Sequence, residues 1–207
     1  MQQRIVCAAI LAVILLRAGR RPEYRAREIR VSRGGIAMSA EFSIFGTTYP
    51  SEREAVVGFM DSIQVAEACA GRAITDWAGK CQVAELRGGL KMIAEREAYH
   101  GRTFQQRIRE LGHECKAELD GFSLESEACI ANPGLSDLEK LTGLVERAGA
   151  PETFLRPILD FANALKDDVE SAEILKLFHA DEVSSATWLH DMCQKLTAEA
   201  ALAHAAE

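Results

Sequence analysis

Past Met38 the chain reads as four long tracts in which apolar residues return every three or four positions, the period of an amphipathic helix. The first stripe runs Met60, Ile63, Glu67, Ala70, Ile74, Trp77, and the second Leu86, Leu90, Ile93, Glu97, His100, Phe104, Ile108, Leu111. The third runs Leu141, Leu144, Ala148, Glu152, Leu155, Leu159, Ala162, and the fourth Leu175, Phe178, Glu182, Ser185, Leu189, Cys193, Leu196. Capping boxes at Ser51 to Glu54 and Ser136 to Glu139 open the first and third tracts. The expected helices run to about Gly79, from Cys81 to about Leu119, to about Leu165, and from a cap at Asp167 or Asp168 into the Ala-rich C-terminus. The one long connection is Asp120 to Leu135, with Gly121, Pro133 and Gly134. This pattern predicts an all-α chain, an antiparallel four-helix bundle built from two tandem helical hairpins with a long crossover.

The two hairpins share one design. An offset of 85 residues maps Ser51 onto Ser136, Glu67 onto Glu152, Glu85 onto Glu170, Leu90 onto Leu175, Lys91 onto Lys176 and Glu97 onto Glu182. Gly149-Ala150-Pro151 interrupts the third tract just before Glu152, where proline predicts a kink.

Composition fits this reading. The chain has 207 residues, 48% hydrophobic and 6% aromatic, with only 5 Pro and 15 Gly, which suits one helical domain better than a sandwich or barrel. The net charge is −7, yet the segment before Met38 is Arg-rich, so the body is more acidic still and a nucleic-acid partner is not expected. Ile5 to Leu16 is too short to span a bilayer and leads into Arg17 to Arg21 instead of a small-residue cleavage site, so no membrane partner is expected either. Arg33-Gly34-Gly35 ahead of Met38 reads like a translated ribosome-binding site. The expected organisation is a non-native or disordered extension over 1–37, a lead-in over 38–50 and the bundle over 51–204. The six cysteines form no CxxC pair, which excludes a zinc ribbon and fits free thiols in a reducing cytoplasm.

The chemistry lies in the interrupted stripes. An ionised carboxylate on an apolar face costs several kcal/mol unless a positive charge neutralises it. Here four such acids stand at matched spacing, Glu67 and Glu97 being 30 apart and Glu152 and Glu182 likewise, and no Lys or Arg shares their stripes. A cation is the simplest partner. Glu97-Ala98-Tyr99-His100 places a carboxylate and an imidazole three apart on one face, able to reach one ion in a bundle core. His179 lies to the other side of Glu182, His190 faces elsewhere, and His113 begins an incomplete zinc-protease pattern; all three read as structural or surface residues.

At these residues the sequence resembles the rubrerythrin-like diiron carboxylate branch of the ferritin-like superfamily. Ile93-Ala-Glu-Arg-Glu97-Ala-Tyr-His100 is similar to the second-helix motif, and Ala180-Asp181-Glu182-Val183 to the start of the fourth. The resemblance implies a metal site of Glu67, Glu97, His100, Glu152 and Glu182, with Ser185 an open or degenerate ligand position where the family has histidine. It implies one or two iron ions, or manganese or a mixed pair, and a nonheme oxidoreductase reacting with O2 or peroxide. With no rubredoxin-like module in the chain, an external electron donor is then required. A homo-oligomer is a further expected partner. Iron binding or storage without turnover, and a metal-free bundle serving as an interaction scaffold, stand as alternatives; the substrate is not legible.

Overall fold

The computed structural model describes residues 42–44, 47–119, 121–148 and 150–205. The extension over 1–37 and the start at Met38 lie outside the described residues. Strands β1 (Phe42–Ile44) and β2 (Thr47–Tyr49) form a small antiparallel hairpin in the lead-in, pairing Phe42 with Tyr49 and burying Ile44. Six helices follow among the described residues: α1 (Glu52–Lys80), α2 (Ala84–Glu110), α3 (Gly121–Ala131), α4 (Asp137–Ala148), α5 (Pro151–Ala164) and α6 (Val169–Ala205).

Local chemistry sets the helix ends. The Ser51 hydroxyl accepts from the Glu54 amide at 3.2 Å, the Ser136 hydroxyl accepts from the Glu139 amide, and the Glu139 carboxylate accepts from the Ser136 amide at 2.8 Å. Of the two candidate caps of the fourth tract, Asp168 is the one used, accepting from the Ser171 amide at 2.9 Å. The second helix stops at Glu110, short of the expected Leu119. Gly112 adopts φ 78° and the His113 amide returns to the Ile108 carbonyl, a left-handed C-terminal stop that apolar periodicity does not encode.

Antiparallel packing is read from which residues meet. On α1 and α2, Gly71 faces Ala94 and Ala98 while Gly101 faces Gln64 and Ala68, so one helix ascends as the other descends. The same holds for α2 and α6, where Glu85 pairs with Lys195 and Arg107 with Asp168 and Glu170. For α1 against α4 and α5, Trp77 Nε1 donates to Asp137 and Phe59 packs on Phe161. Two hairpins arranged this way leave α2 parallel to the third bundle helix, which requires a crossover. That crossover is the long connection expected over Asp120 to Leu135, and it contains a helix beyond the four expected, α3, which packs on α1. Asp61 anchors its start by accepting from the Lys116 and Ala117 amides.

The third tract is two helices, α4 and α5, with Ala150 extended just ahead of α5 and Pro151 at its first turn, where the missing N–H costs nothing. The apolar interior likewise falls into two clusters. One is built around Ile74, Trp77, Leu86, Leu90, Leu141 and Leu189, the other around Phe59, Met60, Phe104, Ile158, Phe161 and Phe178. Between them lies a layer that is not apolar.

Candidate metal centre

That layer consists of Glu67 from α1, Glu97 and His100 from α2, and Glu182 and Ser185 from α6, all 3% exposed or less. Close approach of α1 and α2 brings the first two acids together. Gly71 and Gly101 each lie one turn past a layer acid, and a Cβ on either would sit 3.1 Å from a backbone carbonyl of the facing helix. One ligand atom from each of Glu67, Glu97, His100 and Glu182 lies within 4.8 Å of the others. His100 Nδ1 is 3.4 Å from Glu67 Oε2 and 3.3 Å from Glu182 Oε1. Two ligands about 2.1 Å from a common ion in tetrahedral arrangement stand about 3.4 Å apart, so these separations match shared coordination.

Among the described residues no protein donor satisfies this cluster. Both carboxylate oxygens of Glu97, Glu67 Oε2, Glu182 Oε1 and His100 Nδ1 are buried without a hydrogen-bond partner. Carboxylates elsewhere are treated differently. Glu52, also buried, accepts from the amides of Lys166, Asp167 and Asp168 at 2.8 to 2.9 Å, and Asp137 accepts from Trp77 Nε1 and the Gln82 amide. Burial, reinforced by the charges of Glu97 and Glu182, holds the Glu67 carboxyl well above its ordinary range. Burial and the Glu182 charge push Glu97 up to about 8. Once a cation displaces their protons, three carboxylates without donors, beside an imidazole nitrogen aimed at them, form a set that the cation completes. Oxygen donors with one imidazole suit iron, manganese, cobalt or zinc.

The imidazole is fixed from both sides. His100 Nε2 lies 3.2 Å from Asp181 Oδ2, and the Phe178 ring stands edge-on to the imidazole at 4.9 Å between centroids. A neutral ring donating from Nε2 to Asp181 leaves the Nδ1 lone pair facing the cluster, the arrangement in which a carboxylate orients a metal-binding histidine. Burial pushes the His100 pKa down, but the close Glu182 carboxylate and the charge of Glu97 together lift it above its ordinary value.

Of the residues expected to meet, the structure brings together Glu67, Glu97, His100, Glu182 and Ser185. The expectation that all four stripes bury an acid is corrected by Glu152, which is exposed and outside the cluster. α5 starts at Pro151 after the extended Ala150, so Glu152 belongs to a first turn with no preceding turn to hold it inward. Its carboxylate there gains from the free amides and dipole of the helix N-terminus. Its charge acts on His179, whose Nε2 is buried without a partner and whose pKa is lowered, chiefly by that burial.

Two further residues at the site are absent from the stripes. Arg96 Nη1 donates to Ser185 Oγ at 2.7 Å and to the Asp181 carbonyl at 3.0 Å, and its Nε lies 3.8 Å from Asp181 Oδ1. The 85-residue offset carried this signal, because it maps Arg96 onto Asp181 as it maps Glu97 onto Glu182. Thiol chemistry is not in competition with the cluster: burial pushes Cys69 and Cys81 up to about 11, leaving both protonated at neutral pH.

No model of a known protein family matches the chain, and no curated protein matches it. Among solved structures it is similar to the bacterioferritin of Desulfovibrio desulfuricans, a protein described with a diiron site in different catalytic states. The TM-score is 0.56 at 16% identity, over 70% of this chain and 82% of that chain. At that identity the likeness shows a shared fold, the four-helix bundle.

Proposed function

We propose that this chain is a ferritin-like metal protein in which Glu67, Glu97, His100 and Glu182 bind iron for reaction with O2 or peroxide. The observation that carries the reading is Glu97, whose two carboxylate oxygens are fully buried and have no donor in the protein. Iron held by three carboxylates and one imidazole keeps coordination positions free and supplies one-electron chemistry when bound. The chain's own contribution is to orient the imidazole through Asp181, to exclude water with the two apolar clusters, and to hold a proton at the His100 and Asp181 pair near the half-exposed Asp181 carboxylate.

The bundle over 51–204 is the functional unit of this reading, and an external electron donor completes it. The five described cysteines are all free, which favours the reducing cytoplasm. Among the described residues no helix is long and apolar enough to cross a membrane. Self-association remains part of the proposal.

Anaerobic loading with Fe(II), desalting and elemental analysis tests the site. Wild type retains iron, whereas Glu97→Gln and His100→Ala lose most of it. Peroxide consumption with an artificial reductant tests turnover. Retained iron without any consumption replaces the oxidoreductase reading with storage, and a wild type that retains no metal ends both.

A further inference from the structure

The repeat that builds the bundle relates each half of the acid layer to the other, and the halves are no longer equivalent. The first contributes Glu67, Glu97 and His100; the matching positions of the second are Glu152, Glu182 and Ser185. Only Glu182 of the second set is a ligand in place. Glu152 is exposed at the start of α5. Ser185 is buried, and its hydroxyl already accepts a hydrogen bond from a guanidinium at 2.7 Å.

Resting on the metal-site reading above, we propose that the site holds one divalent cation per chain, with Arg96 seated on Ser185 as a permanent second cation where a second metal would need a ligand. A guanidinium has no lone pair to offer a metal and keeps its charge at every accessible pH. It fills the Ser185 side of the layer and repels a further cation there. The charge count agrees with this. Three buried carboxylates, Glu67, Glu97 and Glu182, are balanced by one divalent ion together with Arg96. Asp181, its side chain 43% exposed and shared between Arg96 and His100, is screened by solvent and locks the guanidinium in position.

The arrangement explains why serine is suited to position 185. A histidine there would be driven against the guanidinium, so Ser185→His alone does not build a second site; Arg96 must leave as well. Arg96→Gln with Ser185→His removes the charge and supplies the imidazole three residues beyond Glu182.

Titration of metal-free protein with Co(II) or Mn(II), read by equilibrium dialysis with elemental analysis and by electron paramagnetic resonance, tests the proposal without any activity measurement. Wild type and Arg96→Lys are expected to take up one equivalent and to show an isolated, uncoupled ion at both one and two added equivalents. Arg96→Gln/Ser185→His is expected to take up two, with the isolated signal attenuated by coupling. Two tightly bound equivalents in wild type, including a second ion held by His179 and Glu152, overturn the proposal while leaving the metal-site reading intact. A folded double variant that still binds one also overturns it. Should the double variant not fold, the wild-type stoichiometry and its resonance signal decide alone. No binding by wild type refutes the metal-site reading itself.

Discussion

Metal-free protein should grow less stable as pH rises from about 4.5 to about 8, the reverse of what most carboxylates do. Glu97 titrates near its ordinary value of 4.5 in the unfolded chain and is pushed up to about 8 in the fold. Between those values the folded state keeps a proton that the unfolded state has released, so each added pH unit favours unfolding. At 1.36 kcal/mol per unit, the buried pair of Glu67 and Glu97, both raised, removes on the order of several kcal/mol across the window, a large share of the stability of many domains. His100 acts in the same direction, since its raised pKa gives stability below about 6.5 that is lost as pH rises through the folded value. Asp137 and Asp168 act oppositely. Burial raises both, but hydrogen bonds from Trp77 and Gln82 to the one, and from Ser171 and Arg107 to the other, leave them below 3.8, so their stabilisation is lost only in acid. The metal-free protein therefore has its stability maximum near about pH 5. The assay is urea unfolding followed by circular dichroism in a chelator that stays effective across the range. Glu97→Gln removes one of the titrating groups at nearly constant shape, so it should make the profile shallower and stabilise the metal-free protein near pH 8 by about 1 kcal/mol or more while weakening metal binding. Wild-type stability that is flat or rising from about pH 5 to 8, or a variant with an unchanged profile, would refute the reasoning.

Three further outcomes follow from the same structure. Restoring metal should raise the unfolding free energy in proportion to the logarithm of free metal, by about 2.7 kcal/mol at a hundredfold excess over Kd, and the melting temperature with it; a calorimetric scan that does not respond to metal contradicts the site. Gly101→Ala places a Cβ 3.1 Å from the Gln64 carbonyl and forces α1 from α2, so it should cost about 1 to 3 kcal/mol in urea unfolding and also weaken metal binding. Glu52→Ala strands the amides of Lys166, Asp167 and Asp168 far from the acid layer, so it should cost about 2 to 4 kcal/mol in the same unfolding assay while leaving metal stoichiometry unchanged.

Residue periodicity was enough to place the four helical tracts, though not the division of the third into α4 and α5, because the core of a bundle is a set of stripes and the stripes survive in one sequence. The acids that interrupt them, and the Glu97 and His100 pair, were visible for the same reason. What periodicity could not carry is where a stripe loses contact with the core. Glu152 lies on the wheel with Leu155 and Ala162, yet the break ahead of Pro151 turns it out to solvent. Nor could it show that Arg96, off every stripe, reaches across to α6, since a long side chain crosses between helices without marking either face. The stop at Gly112 and the helix within the crossover are set by a left-handed glycine and by Asp61 accepting two amides from the distant segment at Lys116 and Ala117.

Whether the buried acid layer binds metal is decided by anomalous diffraction from crystals loaded with Co(II) or Fe(II). A single strong anomalous peak per chain is expected, about 2.0 to 2.2 Å from His100 Nδ1 and from carboxylate oxygens of Glu67, Glu97 and Glu182. A loaded crystal with no peak in that layer, or with its only peaks at surface carboxylates, would contradict the metal-site reading.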